Sequence, residues 1–344
     1  ATSAHQVEGG FMVDGKGLDT EDCRLASDKY GPEQADRRMK LETRSMFEAA
    51  LQETGLGDYP YRWGSDQYHH YKEDIKLFSE LGLKIYRLSI AWSRIFPNGD
   101  DEKPNEKGLE YYRNVINECK KYGIKVYCTM LHYAIPVNLV IKYGGWENRK
   151  LIDFFLKYAR TLIENFKDDV EIWLPFNEIN AGAFHPYNGI GFVLDDQYVN
   201  DPDPWENLRG RIFQALHHQF VANALTVKLA KEIKPDIKMT SMIARFYPYP
   251  GTCKPEDILL SYQIQQYENF FYLDVMVRGQ YPAYMKRYFH DNHIHIVMEQ
   301  GDEEILSTYT SDIVSFSYYS TMIETTEENW EDAGGNLATG KMNP

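Results

Sequence analysis

Val170-Glu171-Ile172-Trp173-Leu174-Pro175-Phe176-Asn177-Glu178-Ile179-Asn180 is an apolar run that ends on an amide and a carboxylate. Val170 to Phe176 is too short for a helix and lacks the polar alternation of a half-exposed strand, so it reads as a strand buried on both faces. In a barrel of alternating strands and helices, side chains just past the C-terminal strand ends form the site. A glutamate placed there beside an asparagine points to acid/base work on a polar substrate.

Working outward, four more short apolar runs share this character: Lys84 to Ile90, Lys125 to Leu131, Lys238 to Ile243 and Asp312 to Tyr318. A partial sixth is expected at Thr2 to Val7. Helical periodicity separates them. Ser65-Asp66 is expected to cap a helix carrying Tyr68, Tyr71, Ile75, Phe78 and Leu81, ending at Gly82. Pro104-Asn105 introduces one with Leu109, Tyr112, Val115, Ile116 and Cys119, stopped by Gly123. A third follows Asn148 with Leu151, Phe154, Phe155, Tyr158, Leu162 and Phe166, and a longer one runs from about Glu206 through Lys234.

This βαβα order implies an α/β fold with a parallel sheet covered by helices. The spacings alone fit a (β/α)8 barrel or an open doubly wound sheet. The absence of GxGxxG and GxxxxGK[ST] weakens a nucleotide-binding sheet. Gly9-Gly10 and Gly144-Gly145 read as turns. Cys23 to Gly64 looks like a loop-rich insertion with one helix around Glu33 to Glu53, and Thr325 to Pro344 like a long strand-to-helix loop. No repeat or Pro/Ser linker divides the 344 residues, so a single domain is expected.

Composition narrows the function. A formal charge of −14 argues against nucleic acid, whose phosphates need a basic face, but leaves room for a small anion held by local Lys or Arg. The aromatic share of 14% supplies core and, secondarily, platforms for sugar rings. Cys23, Cys119, Cys128 and Cys253 have neither CxxC nor Cys/His metal spacing, consistent with a reducing cytoplasm and no metal. No membrane-length apolar run and no signal peptide are visible, so no membrane partner is expected.

Three further side chains stand out by position. Arg87 lies inside the apolar strand Tyr86 to Ala91 and requires a buried acid nearby, whether as a structural ion pair or as a cation holding a site carboxylate. His132 follows Met130-Leu131 at a strand end and is either structural or a donor to a sugar hydroxyl. Tyr318-Tyr319 closes Val314-Ser315-Phe316-Ser317 and belongs to core or site. Gln6 is ambiguous by itself.

Together, Ala1-Thr2-Ser3-Ala4-His5-Gln6-Val7-Glu8-Gly9-Gly10, Tyr71-Lys72-Glu73-Asp74-Ile75, Tyr86 through Pro97, Gly144-Gly145-Trp146, Phe176-Asn177-Glu178 and Phe316-Ser317-Tyr318-Tyr319 resemble glycoside hydrolase family 1 over nearly the whole chain. The resemblance implies a (β/α)8 barrel of retaining β-glycosidases without a cofactor. About six of the eight βα units are expected here, with the C-terminal part and a few N-terminal residues missing. It implies that Glu178 is the general acid/base and that Gln6, His132 and Asn177 hydrogen-bond the sugar. Arg87 and Tyr319 would orient the nucleophilic glutamate.

The family carries that nucleophile in Glu-Asn-Gly, a tripeptide absent from this sequence. Retention needs two carboxyl groups about 5–5.5 Å apart, so residues 1–344 alone are expected to be inactive. Asn177-Glu178-Ile179-Asn180 and Gly251-Thr252-Cys253-Lys254-Pro255-Glu256-Asp257 resemble the 6-phospho-β-glucosidases. The expected partner is thus a small, phosphorylated β-glycoside such as cellobiose phosphate or an aryl glucoside phosphate. The alternative is a non-catalytic fragment or sugar-binding remnant. Homo-oligomerisation is left open.

Overall fold

The computed structural model describes residues 1–34, 40–201, 203–328 and 330. Five strands, β1 (Ile85–Ser89), β2 (Lys125–Leu131), β3 (Val170–Phe176), β4 (Lys238–Pro250) and β5 (Ile313–Glu324), pair in parallel in the order of the chain. Parallel neighbours need crossovers, and helices supply them. Numbering the helices of eight residues or more, α1 is Arg44–Gln52, α2 Gln67–Glu80, α3 Glu106–Lys121, α4 Leu151–Phe166, α5 Arg209–Ile233, α6 Pro255–Gln265, α7 Phe271–Arg278 and α8 Ala283–Asp291. The result is a curled sheet, barrel-like on one side.

Register assigns the faces. Leu88, Cys128 and Trp173 are aligned across β1, β2 and β3, and all three are buried. They meet α3 and α4, whose apolar stripes Leu109, Tyr112, Val115, Ile116 and Cys119, and Leu151, Phe155, Tyr158 and Leu162, are buried as their spacing predicts. Between sheet and helices, Trp92 stacks on Tyr158 with ring centroids 5.4 Å apart, and Phe155 on Phe176 at 4.7 Å. Arg87, Thr129 and Asn177 are hydrogen-bonded together across the other side, toward the barrel interior.

Several expectations are corrected. Thr2 to Val7 is not a strand: Ala4–Val7 is a single helical turn, docked on β1 by Thr2 N–H to the Arg87 carbonyl (3.0 Å) and Ala4 N–H to Ser89 Oγ (2.6 Å). A turn satisfies β1's edge at those points without a ladder. Asp66 does not cap α2 through its side chain; it is left-handed (φ 54°), and its carboxylate binds His69 Nδ1 instead (2.6 Å). β4 runs seven residues and β5 six past their expected ends, to Pro250 and Glu324, joined by pairs such as Tyr247–Thr321 and Pro250–Glu324. Pro248 and Pro250 lack N–H donors, which makes that stretch read as loop; pairing with β5 continues regardless.

The insertion holds α1 within the expected span, which also covers residues 35–39, outside the described set. What fixes it is Arg62, fully buried, whose guanidinium donates to the carbonyls of Asp22 (2.9 Å), Ala50 (2.8 Å) and Glu53 (2.8 Å). With the Gly55 carbonyl (2.5 Å), four backbone carbonyls are thereby held by one cation. Beyond β5, Thr325 and Thr326 hydrogen-bond the Asp257 carboxylate (3.0 and 2.7 Å); the remainder of the expected loop, apart from 327, 328 and 330, lies outside the described residues. No helix among the described residues is long and apolar enough to cross a membrane.

Candidate active site

The exits of β2 and β3 meet at one point. Asn177 N–H donates to the Leu131 carbonyl (2.9 Å), extending the ladder one step beyond β3. Glu178 then turns with φ 44°, and Ile179 N–H donates to the Met242 carbonyl of β4 (3.2 Å). Positive φ is costly for a residue with a Cβ, so the chain is held in that turn by its neighbours. Asn180 is one of them: its amide donates to the Ala244 carbonyl (2.8 Å) and accepts from Ala244 N–H (2.8 Å).

Glu178 is 7% exposed, and the Tyr133 hydroxyl donates to one of its carboxylate oxygens. Tyr133 sits just past β2, also at positive φ (70°). The two strained residues thus face each other across adjacent strand ends. Burial and the neighbouring carboxylate push the Tyr133 phenol well up from its ordinary value, so it stays a donor.

Arg87 projects from β1 into the same space. Its Nε donates to Thr129 Oγ1 (2.9 Å) and an Nη to Asn177 Oδ1 (2.7 Å). It forms no ion pair with a carboxylate among the described residues. The expectation that a buried acid must pair with it is met only at longer range: burial lowers its pKa, and the Glu178 carboxylate and the Tyr133 and Tyr319 phenols work in the opposite direction. The first bond fixes the guanidinium; the second fixes which end of the Asn177 amide faces the cation, leaving its NH2 to donate elsewhere.

His132 is half-buried, with Nδ1 lacking any hydrogen-bond partner in the structure. Burial drives its pKa well below the usual histidine range, so the ring is neutral and has a nitrogen to offer. His5 packs edge-on to it (centroids 5.8 Å apart) and to Tyr61 (5.0 Å). Gln6, next in the chain, is exposed and lies within hydrogen-bonding reach of Tyr61.

Behind His5 lies a buried charge cluster. Glu21 is 3.8 Å from His5 Nε2 and 3.3 Å from Arg24, which also binds Glu42 at 3.1 Å. Burial pushes Glu21 up to about 7 and lowers His5 to about 4.

The structure therefore brings Arg87, Asn177 and Glu178 into one hydrogen-bonded group, with His132 beside it. Gln6 lies on the turn docked at β1, and Tyr319 on β5, near enough for its phenol to act on Arg87 and Tyr133. Tyr319 is 67% exposed. Sequence reading overlooked Thr129 and Tyr133. Tyr133 had a signal, an aromatic directly after a strand-end histidine; Thr129 had none, because a threonine inside a strand is ordinary.

Comparison with known proteins places this geometry. The glycosyl hydrolase family 1 model matches residues 1–342. The chain is 43% identical over 345 aligned residues to the aryl-phospho-beta-D-glucosidase BglH of Bacillus subtilis, covering all of this chain and 68% of that protein. It is 44% identical to a 6-phospho-beta-glucosidase of Clostridium longisporum, again over the whole chain and 67% of the relative. A solved family 1 β-glucosidase from Thermotoga maritima superposes with a TM-score of 0.70 at 28% identity, covering 94% of this chain and 64% of that one. The chain thus spans about two thirds of the length of these relatives. On the family match and these identities, the chain belongs to glycosyl hydrolase family 1.

Proposed function

We propose that residues 1–344 form most of a single catalytic barrel domain of a retaining β-glycosidase acting in the cytoplasm on 6-phospho-β-glucosides. The observation that carries this reading is the Glu178 carboxyl group, buried at the β3 exit and held by Tyr133. The printed activities of the relatives at 43% and 44% identity support the phosphorylated substrate.

In this reading Glu178 gives its proton to the glycosidic oxygen as the C1–O bond breaks, while a second carboxylate attacks C1 to form a glycosyl ester. Glu178 then takes a proton from water, whose oxygen displaces that ester. Asn177, already oriented by Arg87, offers its NH2 to the sugar. His132 offers its unpartnered nitrogen, and Gln6 contributes from the turn docked at β1. Arg87 and Tyr319 orient the second carboxylate, which is expected from outside these residues because no Glu-Asn-Gly occurs among them.

The test is hydrolysis of a chromogenic aryl β-glucoside with and without the 6-phosphate by the complete gene product. Preferential turnover of the phosphorylated form is expected; turnover of neither sinks the proposal. The missing tripeptide also favours a second reading for the 344-residue species alone, that of a sugar-binding remnant. Saturable binding of a β-glucoside by that species without product formation supports it.

A further inference from the structure

A cavity of about 420 Å³ lies behind the acid/base loop, between that loop, β4, β5, α5, α7 and α8. Its walls are aromatic. Phe184 and Phe246 meet edge to face with centroids 5.6 Å apart, and Tyr267 and Tyr288 lie 5.0 Å apart. The Glu178 carboxylate is not part of the lining, and neither are Arg87, His132 or Asn177. The two sites are nevertheless neighbours in the chain: Phe184 is six residues beyond Glu178, and Asn180 Nδ2 donates to the backbone carbonyl of Glu268, a lining residue (3.1 Å).

Two features indicate an occupant. The volume falls within the range of small-molecule pockets, about 300–1,000 Å³, which are mainly apolar with a few placed polar groups. Flat walls of phenyl and phenol rings favour another flat ring, through offset or edge-to-face contact. The second feature is Tyr272, which is 2% exposed and lines the cavity beside Glu268, whose carboxylate acts on its phenol. Burial raises this phenol's pKa far above the ordinary value, so it remains protonated and can donate. A phenol on the cavity wall offers a hydrogen bond to a ligand that carries an acceptor atom.

We propose that this cavity is a binding site for a small aromatic molecule of one or two rings carrying a hydrogen-bond acceptor, seated between the phenyl walls with its acceptor on Tyr272. The site does not depend on the glycosidase reading, because it shares no side chain with the group around Glu178.

Met285 and Met322 line the cavity and serve as reporters. With the chain carrying 13C-methyl methionine, 2-naphthol is titrated, and the two resonances are assigned by Met285→Leu and Met322→Leu. Saturable shifts concentrated on these two methyl groups are expected. Tyr272→Phe, which keeps the ring and removes the donor, should weaken binding roughly tenfold. Ala183→Trp, which fills the cavity from its wall, should abolish it. Absence of a saturable shift at either methionine overturns the proposal. So do shifts spread evenly over all the methionines, or an affinity unchanged by both Tyr272→Phe and Ala183→Trp.

Discussion

The two sides of the sheet's upper rim are built on opposite principles. On the side of β1, β2 and β3, polar groups are buried and cross-linked: Arg87 to Thr129 and Asn177, Tyr133 to Glu178, and Glu21 to His5 and Arg24 behind them. On β5, Val314, Phe316 and Tyr318 are roughly half exposed, and Tyr319 is more so. The first side has its geometry determined before any substrate arrives, because each buried polar group is costly unless met. On the second side the ladder to β4 holds the backbone, but these four side chains make no hydrogen bonds among the described residues. Preorganised donors and carboxylates are what acid/base chemistry requires, so function should be sensitive to single atoms on the first side and tolerant on β5.

The largest effect is expected at Glu178. Glu178→Gln in the complete gene product keeps shape and removes the exchangeable proton, and general acid/base assistance contributes about 10²–10⁴-fold. Turnover of an aryl 6-phospho-β-glucoside should fall by at least about a hundredfold; a loss below tenfold breaks the assignment.

Glu21 tests whether burial on this side has an energetic cost. Its folded value of about 7 lies above the ordinary 4.5. The folded chain therefore holds this proton more tightly, and the associated stability is full below about pH 4.5 and is lost as pH rises through 7. The difference amounts to roughly 3 kcal/mol once the group is ionised. In urea titrations, Glu21→Gln should gain on the parent chain as pH goes from 5 to 8. A difference independent of pH would show that Glu21 titrates normally.

How far these features were legible depends on what each one rests on. The five strands and the stripes of α3 and α4 follow from hydrophobic period, which is local, and they were read correctly from Leu109, Tyr112, Val115 and their counterparts. The turn at Thr2 to Val7 was misread because a short apolar segment fits either structure, and its docking on β1 is a long-range event. Asn177, Glu178 and His132 were expected at strand ends and Arg87 inside a strand, and the structure has them at those positions. The phenol of Tyr133 on Glu178 could not be read, since it depends on two residues 45 positions apart both adopting positive φ. Nor could the unpartnered nitrogen of His132, because satisfaction of a donor is a property of the packed state alone.

Two intermediate substitutions sharpen the contrast. Thr129→Val is nearly isosteric, and Thr129 is fully buried, so it leaves the Arg87 Nε without its acceptor. Bonds to charged groups contribute about 1.5–3 kcal/mol, and a stability loss of about 2 kcal/mol by chemical denaturation is expected; a loss under 0.5 would mean water replaces the threonine freely. Tyr133→Phe removes the donor on Glu178 while keeping the ring. A roughly tenfold fall in kcat/KM, equivalent to about 1.4 kcal/mol, is expected, with little change in stability. Unchanged turnover would detach Tyr133 from the acid/base group.

Tyr319→Phe is the opposite case and the smallest effect. The hydroxyl makes no hydrogen bond among the described residues, and the side chain is largely in water, so its removal breaks no internal contact. Stability of residues 1–344 should stay within about 0.5 kcal/mol, as for ordinary surface changes. In the complete gene product, the same substitution separates two meanings of exposure. If Tyr319 orients the second carboxylate, kcat falls while stability of the short chain is untouched, and the β5 side is preorganised only by what it meets outside these residues. If kcat also stays level, the tolerance of β5 is complete and the orienting role belongs to Arg87 alone.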